Sequence, residues 1–303
     1  MKLNKILSSE DIDLVLVDTS ITGTYDFAEA IYESTKYSSL DVGLLEKEIE
    51  SIKQAKEVLE NPKTRTIRAT TKELKDFEKI INSKIKDFSE GYLSKNRKIR
   101  TKIKKRDIKP KNKLNLLQNE AYNLRRISYF KELKIKDNNY ELLLDMIKLI
   151  EPIIKIKKDR DFMFGFHDKD QSRDSDTDER LTAALYWLSL FSDKSSCLIT
   201  NDEDFAGLSR IIIRLIGSGS FLPHNEFFRK RIIENPSKIY KGFNGEFSLS
   251  IDNSFASYDE EFLIRGSFKR VNETIKGGIL KMWRGFNPSN PSKKHEYQTA
   301  LAY

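Results

Sequence analysis

Acidic side chains follow two apolar runs of the sequence and begin two segments with helical spacing. Asp18 comes directly after the run LVLV, and Asp202 comes shortly after the run CLIT. Glu73 and Asp178 lie near the starts of two predicted helices. If the chain forms a parallel sheet, these positions gather at the sheet edge where ligand sites form. Four carboxylates brought together there would repel one another unless a cation neutralised them, so the pattern predicts a metal site.

Each of these acids also has a structural explanation. Aspartate is a favoured N-cap residue, and all four positions lie near predicted helix starts. The functional interpretation therefore depends on four acids at matching positions in the fold, and on no single one of them.

The elements that must position the acids follow from hydrophobic spacing. Apolar or alternating runs predict strands, and apolar residues three and four positions apart predict helices. The predicted strands cover residues 14–17, 64–69, 162–166 and 197–200, with two more at 246–251 and 261–268. The predicted helices cover residues 26–37, the segment between Ser39 and Pro62, and 114–133, 139–150 and 178–192, with others starting near Thr70 or Thr71 and near residue 203. This alternation predicts an α/β layer fold with a parallel sheet.

The positive charge of the chain is concentrated in one segment. The 303 residues carry a formal net charge of +8, and residues 95–113 alone hold eleven Lys or Arg and one acid. Clustered cations of this kind suit a polyphosphate partner such as nucleic acid, and a solvated, unstructured run is the alternative. The segment has no aromatic side chains, so we expect it to contact the phosphate backbone without reading bases. The residues assigned to this role are Lys102, Lys104, Lys105 and Arg106.

Composition excludes several other classes of protein. No apolar run reaches the roughly 18 residues of a membrane span, and the first residues lack a signal-peptide pattern. Cys197 is the one cysteine, so no disulfide can form within the chain and a cytoplasmic location is expected. With one Cys and three His, a zinc site of the usual kind is not expected. Oxygen ligands would favour Mg²⁺ or Mn²⁺.

Four stretches of the sequence resemble, in order, the four acidic motifs of PIN-domain nucleases. They are LVLVDTS at 14–20, TTKEL at 70–74, DERLTAAL at 178–185 and LITNDEDF at 198–205. The resemblance implies a PIN-like three-layer fold over residues 10–235, with a basic helical insertion at 90–113. It leaves residues 236–303 as a C-terminal extension, in which a β-hairpin is expected.

The resemblance also implies an activity. It is metal-dependent hydrolysis of RNA phosphodiester bonds by a metal-activated water, and the preference for RNA over DNA comes from the resemblance alone. The implied catalytic acids are Asp18, Glu73, Asp178 and Asp202, with Asp204 as an auxiliary metal ligand and Thr19, Ser20 and Thr200 contacting water or phosphate. The expected partner is single-stranded or structured RNA, with no membrane, and a homodimer is left open.

Two assignments keep alternatives open. Glu73 is separated from both neighbouring motifs by long stretches of sequence, so Glu78 and Glu120 are substitutes for it. The tandem acids Asp174 and Asp176 are alternatives to Asp178, although the spacing D-x-x-L-x-A-A favours Asp178.

Three other functions also stay open. The stretch DTSIT at 18–22 resembles the metal motif of von Willebrand A-type adhesion domains, which would make the chain a metal-dependent binding module. The stretch at 168–179 partly matches an EF-hand calcium loop, although Arg173 occupies the position where the sharp turn needs glycine. A PIN-like domain can also act as a nucleic-acid-binding or assembly scaffold without cleaving its partner.

Overall fold

The computed structural model describes residues 2–22, 42–87, 109–156, 176–202, 205, 209, 225–243 and 246–252. Its strands are β1 (Leu14–Val17), β2 (Thr64–Arg65), β3 (Ser196–Thr200), β4 (Lys238–Phe243) and β5 (Glu246–Asp252). Its helices are α1 (Leu3–Leu7), α2 (Val42–Glu60), α3 (Arg68–Asp87), α4 (Lys109–Phe130), α5 (Asn138–Ile156), α6 (Thr177–Phe191) and α7 (Asn225–Glu234), and a short 3-10 helix covers Thr19–Thr22.

The strands lie in a mostly parallel sheet in the order β2-β1-β3-β4-β5, so the fold class is mixed α/β. Strands β3 and β4 are parallel, with Thr200 opposite Lys241, whereas β4 and β5 are antiparallel. Neighbouring strands β1 and β3 start side by side, because the backbone N–H groups of Asp13 and Leu14 both donate to the Ser195 carbonyl at 3.1 Å. The two strands therefore run in the same direction and end at the same edge.

The chain divides into two compact units, Met1–Leu16 with Lys134–Tyr303, and Val17–Leu133. In the first unit, α6 packs on α5 and on β3. Its contact face is fully buried and apolar, as the sequence spacing predicts for a helix that covers a sheet. The buried residues of that face include Leu181, Ala184, Leu185 and Leu188.

Residues of α7 and its C-terminal end satisfy the last carbonyl groups of α6. The Asn235 side-chain amide donates to the carbonyls of Leu188 at 3.2 Å and Ser192 at 3.0 Å, and the Arg231 guanidinium donates to Leu190 at 3.1 Å. Most of the final carbonyls of a helix have no backbone partner within it, so these side chains take the place of water at the end of α6. This arrangement fixes the point at which α6 ends before β3.

In the second unit, α4 packs against both α2 and α3. The helices share an apolar core that includes Ile52, Leu59, Leu74, Phe77, Leu117 and Leu124. The segment after β2 is tied to the end of α4, because Thr66 Oγ1 donates to the Ser128 carbonyl at 3.0 Å and the Thr66 N–H donates to the Lys131 carbonyl at 3.0 Å. These bonds set the position at which α3 begins.

The predicted α/β class is confirmed, and several element boundaries differ from the sequence expectation. The second strand is limited to Thr64–Arg65, and α3 begins at Arg68, so Thr70 and Thr71 lie inside the helix and do not cap it. Thr71 Oγ1 instead donates to the Arg68 carbonyl at 2.7 Å. Helix α5 was expected to end at residue 150, but it continues through Pro152 to Ile156. A proline removes only one backbone hydrogen bond, and the 19-residue helix retains the rest.

The C-terminal region adds a strand that sequence spacing did not predict. Strand β4 forms a hairpin with β5, the strand expected at 246–251, and it also pairs with β3. The expected boundary at residue 235 therefore falls between elements of one sheet. The helix expected at 26–37 and the strands expected at 162–166 and 261–268 lie outside the described residues, as does most of the basic segment.

Candidate functional site

Asp18 stands at the point where a fully buried strand ends and the short 3-10 helix begins. All four residues of β1 are buried and apolar, and the Asp18 residue itself is only 5% exposed. The Ser20 hydroxyl donates a short hydrogen bond to Asp18 Oδ2, and the Asp18 carbonyl accepts from the Ile21 N–H at 3.2 Å. A carboxylate buried to this degree requires compensating polar groups, and the turn that follows β1 supplies one of them.

Glu73 is joined to the same turn. Thr19 Oγ1 donates to Glu73 Oε2 at 2.5 Å, across 54 positions of the sequence. Because α3 begins at Arg68, Glu73 lies in the second turn of this helix, with the neighbouring residue Leu74 buried in the core. The residues after β1 and the acid of α3 thus belong to one local arrangement within the unit Val17–Leu133.

The two substitutes for Glu73 have other partners. Glu78 Oε2 lies 2.8 Å from Arg125 Nε, and Glu120 Oε2 lies 3.8 Å from Lys56 Nζ. Both carboxylates are mostly buried and each is compensated by a cation on a neighbouring helix, so they tie α3 to α4 and α2 to α4. Of the three glutamates, Glu73 is the one bonded to the residue that follows Asp18.

Asp178 and Glu179 occupy the first turn of α6, in the other unit. Negative charge is favourable at a helix N-terminus, where backbone N–H groups point outward. Glu179 is only 4% exposed and lies deeper than Asp178, which is half-buried. The sequence pattern selected Asp178 and not Glu179. Two adjacent acids at a helix start give no indication of which of them is buried.

Asp176, the alternative to Asp178, is engaged in a charged network. Its carboxyl oxygens lie 2.8 Å from Arg180 Nε and 2.9 Å from Lys148 Nζ. Partial burial opposes ionisation of Asp176, but the hydrogen bonds from Arg180 and Lys148 outweigh it and lower the pKa of the carboxyl. In the same network, burial raises the pKa of Tyr140 to about 12. Two cations already compensate Asp176, so its carboxylate serves the ion-pair network of α5 and α6.

The residues after β3 form a second turn with a fixed geometry. Thr200 is fully buried, and its Oγ1 accepts a hydrogen bond from the Asp202 N–H at 2.9 Å. Asn201 lies against Gly242 of β4, where a Cβ atom would come within 2.1 Å of Asn201 Oδ1 and 2.9 Å of the Phe247 ring. The absence of a side chain at Gly242 therefore makes room for Asn201, directly before Asp202.

The chemistry of these donors fits a hard divalent cation. Carboxylate and hydroxyl oxygens are the ligands that Mg²⁺ and Mn²⁺ prefer, and each unit offers both kinds. The oxygen donors are Asp18, Thr19, Ser20 and Glu73 in one unit, and Asp178, Thr200 and Asp202 in the other. Within the described residues, no group of three or more His, Cys, Asp or Glu side chains is arranged to hold a metal ion.

Several predicted site residues lie outside the described residues. They are Asp204, the auxiliary ligand, and the basic residues Lys102, Lys104, Lys105 and Arg106. Lys241 was not predicted from the sequence, although it is the β4 residue paired with Thr200 at the end of β3. Because strand β4 was not predicted, nothing in the sequence indicated that Lys241 lies beside the end of β3.

Comparison with known proteins finds no matching family model, no matching curated protein and no matching solved structure. Among the helices of the described residues, none combines the length and the apolar composition that crossing a membrane requires.

Proposed function

We propose that the protein is a metal-dependent nuclease that hydrolyses RNA phosphodiester bonds, as an endoribonuclease. The observation that supports the proposal most strongly is the hydrogen bond from Thr19 to Glu73. It joins the first two acidic motifs of the sequence, which are far apart in the chain, and it distinguishes Glu73 from Glu78 and Glu120. A structural N-cap acid after β1 would not require a second acid from another helix beside it.

The positions of Asp18 and Asp202 support the same proposal. Asp18 directly follows β1 and Asp202 follows β3 by two residues, and these strands are parallel neighbours in the sheet. In α/β sheets, the carboxyl ends of such strands are the usual place for ligands. A metal-dependent phosphodiester-cleaving site needs acids after the carboxyl ends of neighbouring strands. A turn with a purely structural role does not need an acid after each strand.

The resemblance of the four motifs would assign Asp18, Glu73, Asp178 and Asp202 as ligands of Mg²⁺ or Mn²⁺, with Asp204 in an auxiliary role. When bound, the cation would supply an activated water and neutralise charge on the phosphodiester. The Thr19 hydroxyl fixes the Glu73 carboxylate, and the Ser20 hydroxyl fixes that of Asp18. Thr200 orients the backbone that carries Asp202, through its bond to the Asp202 N–H.

The basic segment would hold the substrate. Residues 95–113 carry a large cationic excess, and Lys102, Lys104, Lys105 and Arg106 would contact the phosphate backbone without sequence readout. The thiol of Cys197 is buried and forms no disulfide within the chain, which suits a reducing, cytoplasmic compartment.

The experiment is a cleavage assay on single-stranded RNA and single-stranded DNA of the same sequence, with Mn²⁺ or with EDTA. The proposal expects Mn²⁺-dependent cleavage, with RNA as the better substrate, and none in EDTA. Binding of RNA without cleavage under all conditions would instead indicate a scaffold. Absence of both binding and cleavage would contradict the proposal.

A further inference from the structure

The outer face of α4 carries aromatic side chains where a surface helix normally carries polar ones. The inner face packs into the core through Leu117, Ala121 and Leu124, all fully buried. On the opposite face, Tyr122 is 47% exposed, Tyr129 49% and Phe130 79%. An amphipathic helix gains stability mainly from its apolar inner face, and the exposed parts of these outer rings bury no apolar surface in the fold.

These rings are arranged as a stripe with one cation between them. Tyr122, Arg126 and Tyr129 are at positions i, i+4 and i+7, so they share one side of the helix and span about 10 Å along its axis. Arg126 is exposed between the two tyrosines. We call Tyr122, Arg126, Tyr129 and Phe130 the aromatic stripe.

The ring at the start of the stripe is held in place by the core. The Arg125 guanidinium lies over the Tyr122 ring, 5.4 Å from its centroid, and its Nε lies 2.8 Å from Glu78 Oε2. Glu78 and Arg125 are both largely buried, so the ion pair anchors the cation–π contact to α3. The Tyr122 ring is therefore oriented before any partner arrives, which reduces the entropy that binding must overcome.

We propose that the aromatic stripe binds single-stranded nucleic acid by stacking unpaired bases on Tyr122, Tyr129 and Phe130, with Arg126 facing the phosphates. Alternating aromatic and cationic groups are what single-stranded binding surfaces present, because every base has a face that can stack. Charge also favours nucleic acid as the partner, because the eleven Lys or Arg of residues 95–113 precede α4 in the sequence and extend into its start. The inference does not rest on the proposed nuclease activity.

The test measures binding by the full-length protein in EDTA, so that cleavage plays no part. Fluorescence anisotropy would compare three labelled oligonucleotides of about 12 nucleotides, a length within the usual range of such sites: oligo-dT, oligo-U, and an abasic strand with the same phosphates. We expect the wild-type protein to bind both base-containing strands more tightly than the abasic strand. Tighter binding of oligo-U than of oligo-dT, or equal binding, fits the proposal.

Variants then locate the stacking surface. Tyr122→Ala with Tyr129→Ala should weaken oligo-dT and oligo-U binding by tenfold or more, on the order expected for a lost stacked base, and leave abasic binding unchanged. Tyr122→Phe with Tyr129→Phe retains the rings and should bind as the wild type does. Ile233→Ala, which truncates a 60% exposed side chain on α7, is the matched control and should have no effect.

Arg126→Gln serves as a second variant with little risk to folding, because its side chain is exposed. It should weaken binding severalfold and reduce the salt dependence of the affinity, whereas Lys230→Gln, at an exposed position of α7, should do neither. Unchanged oligonucleotide affinity in the folded tyrosine-to-alanine variant would overturn the proposal. An equal loss of affinity for the abasic strand would also overturn the proposal, since the tyrosines would then not act by stacking on bases.

Discussion

Thr19 donates a hydrogen bond to Glu73 at 2.5 Å, and this bond ties the turn after β1 to the second turn of α3. A hydroxyl that donates to a carboxylate forms a charge-assisted bond, which is stronger than a bond between neutral groups. The bond has two consequences, one for the stability of the fold and one for the orientation of an acid in the proposed site.

The first prediction separates these consequences. Thr19→Val removes the donor at nearly constant shape and should lower the free energy of unfolding by about 1.5–3 kcal/mol, because the half-buried Glu73 carboxylate loses a charge-assisted hydrogen bond. Thr19→Ser keeps the hydroxyl and should lower the free energy of unfolding by much less than Thr19→Val does. Urea denaturation followed by circular dichroism measures both. Equal stability of the valine and serine variants would show that the bond contributes nothing to the fold.

The second prediction concerns the close approach of Asn201 to Gly242. A Cβ at position 242 would meet the Asn201 side chain and the Phe247 ring, so Gly242→Ala should destabilise the protein by about 1–3 kcal/mol through overpacking. Asn201→Ala in the same chain should restore part of that loss, since one of the two clashes disappears. A double-mutant cycle on unfolding free energies measures the coupling. Strict additivity of the two changes would contradict the contact.

The third prediction is a pH dependence. The pKa of Asp176 is lowered in the folded protein, so its contribution to stability is complete above the ordinary value of 3.8 and is lost as pH falls through the lower, folded pKa. We expect about 1 kcal/mol or less, because the carboxyl is a third exposed and screened. Asp176→Asn should therefore lower the melting temperature at pH 7 and have a smaller effect near pH 3, where the Asp176 carboxyl of the unfolded chain is mostly protonated. An equal loss at both values would contradict the ion-pair explanation.

The fourth prediction addresses the end of α6. Asn235→Ala removes the amide that donates to the Leu188 and Ser192 carbonyls and should cost about 0.5–1.5 kcal/mol, because each carbonyl loses one of its two donors and keeps the Ser192 N–H or the Arg231 guanidinium. Asn115→Ala, at an exposed position of α4, is the matched control and should change stability by no more than a few tenths. Thermal unfolding of both variants tests the difference.

Sequence reasoning located the elements whose apolar pattern is simple. Strands β1 and β3 are continuous apolar runs, and α6 shows regular helical spacing, so these were predicted close to their observed bounds. Strand β4 was missed because its lysines and glycine interrupt the apolar pattern, and its place is set by pairing with β3 and β5. The start of α3 was misplaced because Thr66 is fixed by the end of α4, a contact between distant parts of the chain.

The candidate acids show the same division between local and distant information. Asp18 and Asp202 could be identified from the sequence, since each follows an apolar strand. The choice among Glu73, Glu78 and Glu120 could not be made from the sequence, because it depends on the partners Thr19, Arg125 and Lys56. Spacing along α3 and α4 gives no sign of which glutamate faces a cation and which faces a hydroxyl.

The most direct test of the central claim is Mn²⁺-dependent cleavage of single-stranded RNA by Asp18→Asn and Asp202→Asn, each compared with the wild type. Each substitution keeps the shape of the side chain and removes its charge, so cleavage should be abolished while the melting temperature stays close to that of the wild type. Asp76→Asn, at an exposed ion pair on α3, is the control and should cleave normally. Full activity in both Asp18→Asn and Asp202→Asn would contradict the assignment of these acids to a metal-dependent nuclease site.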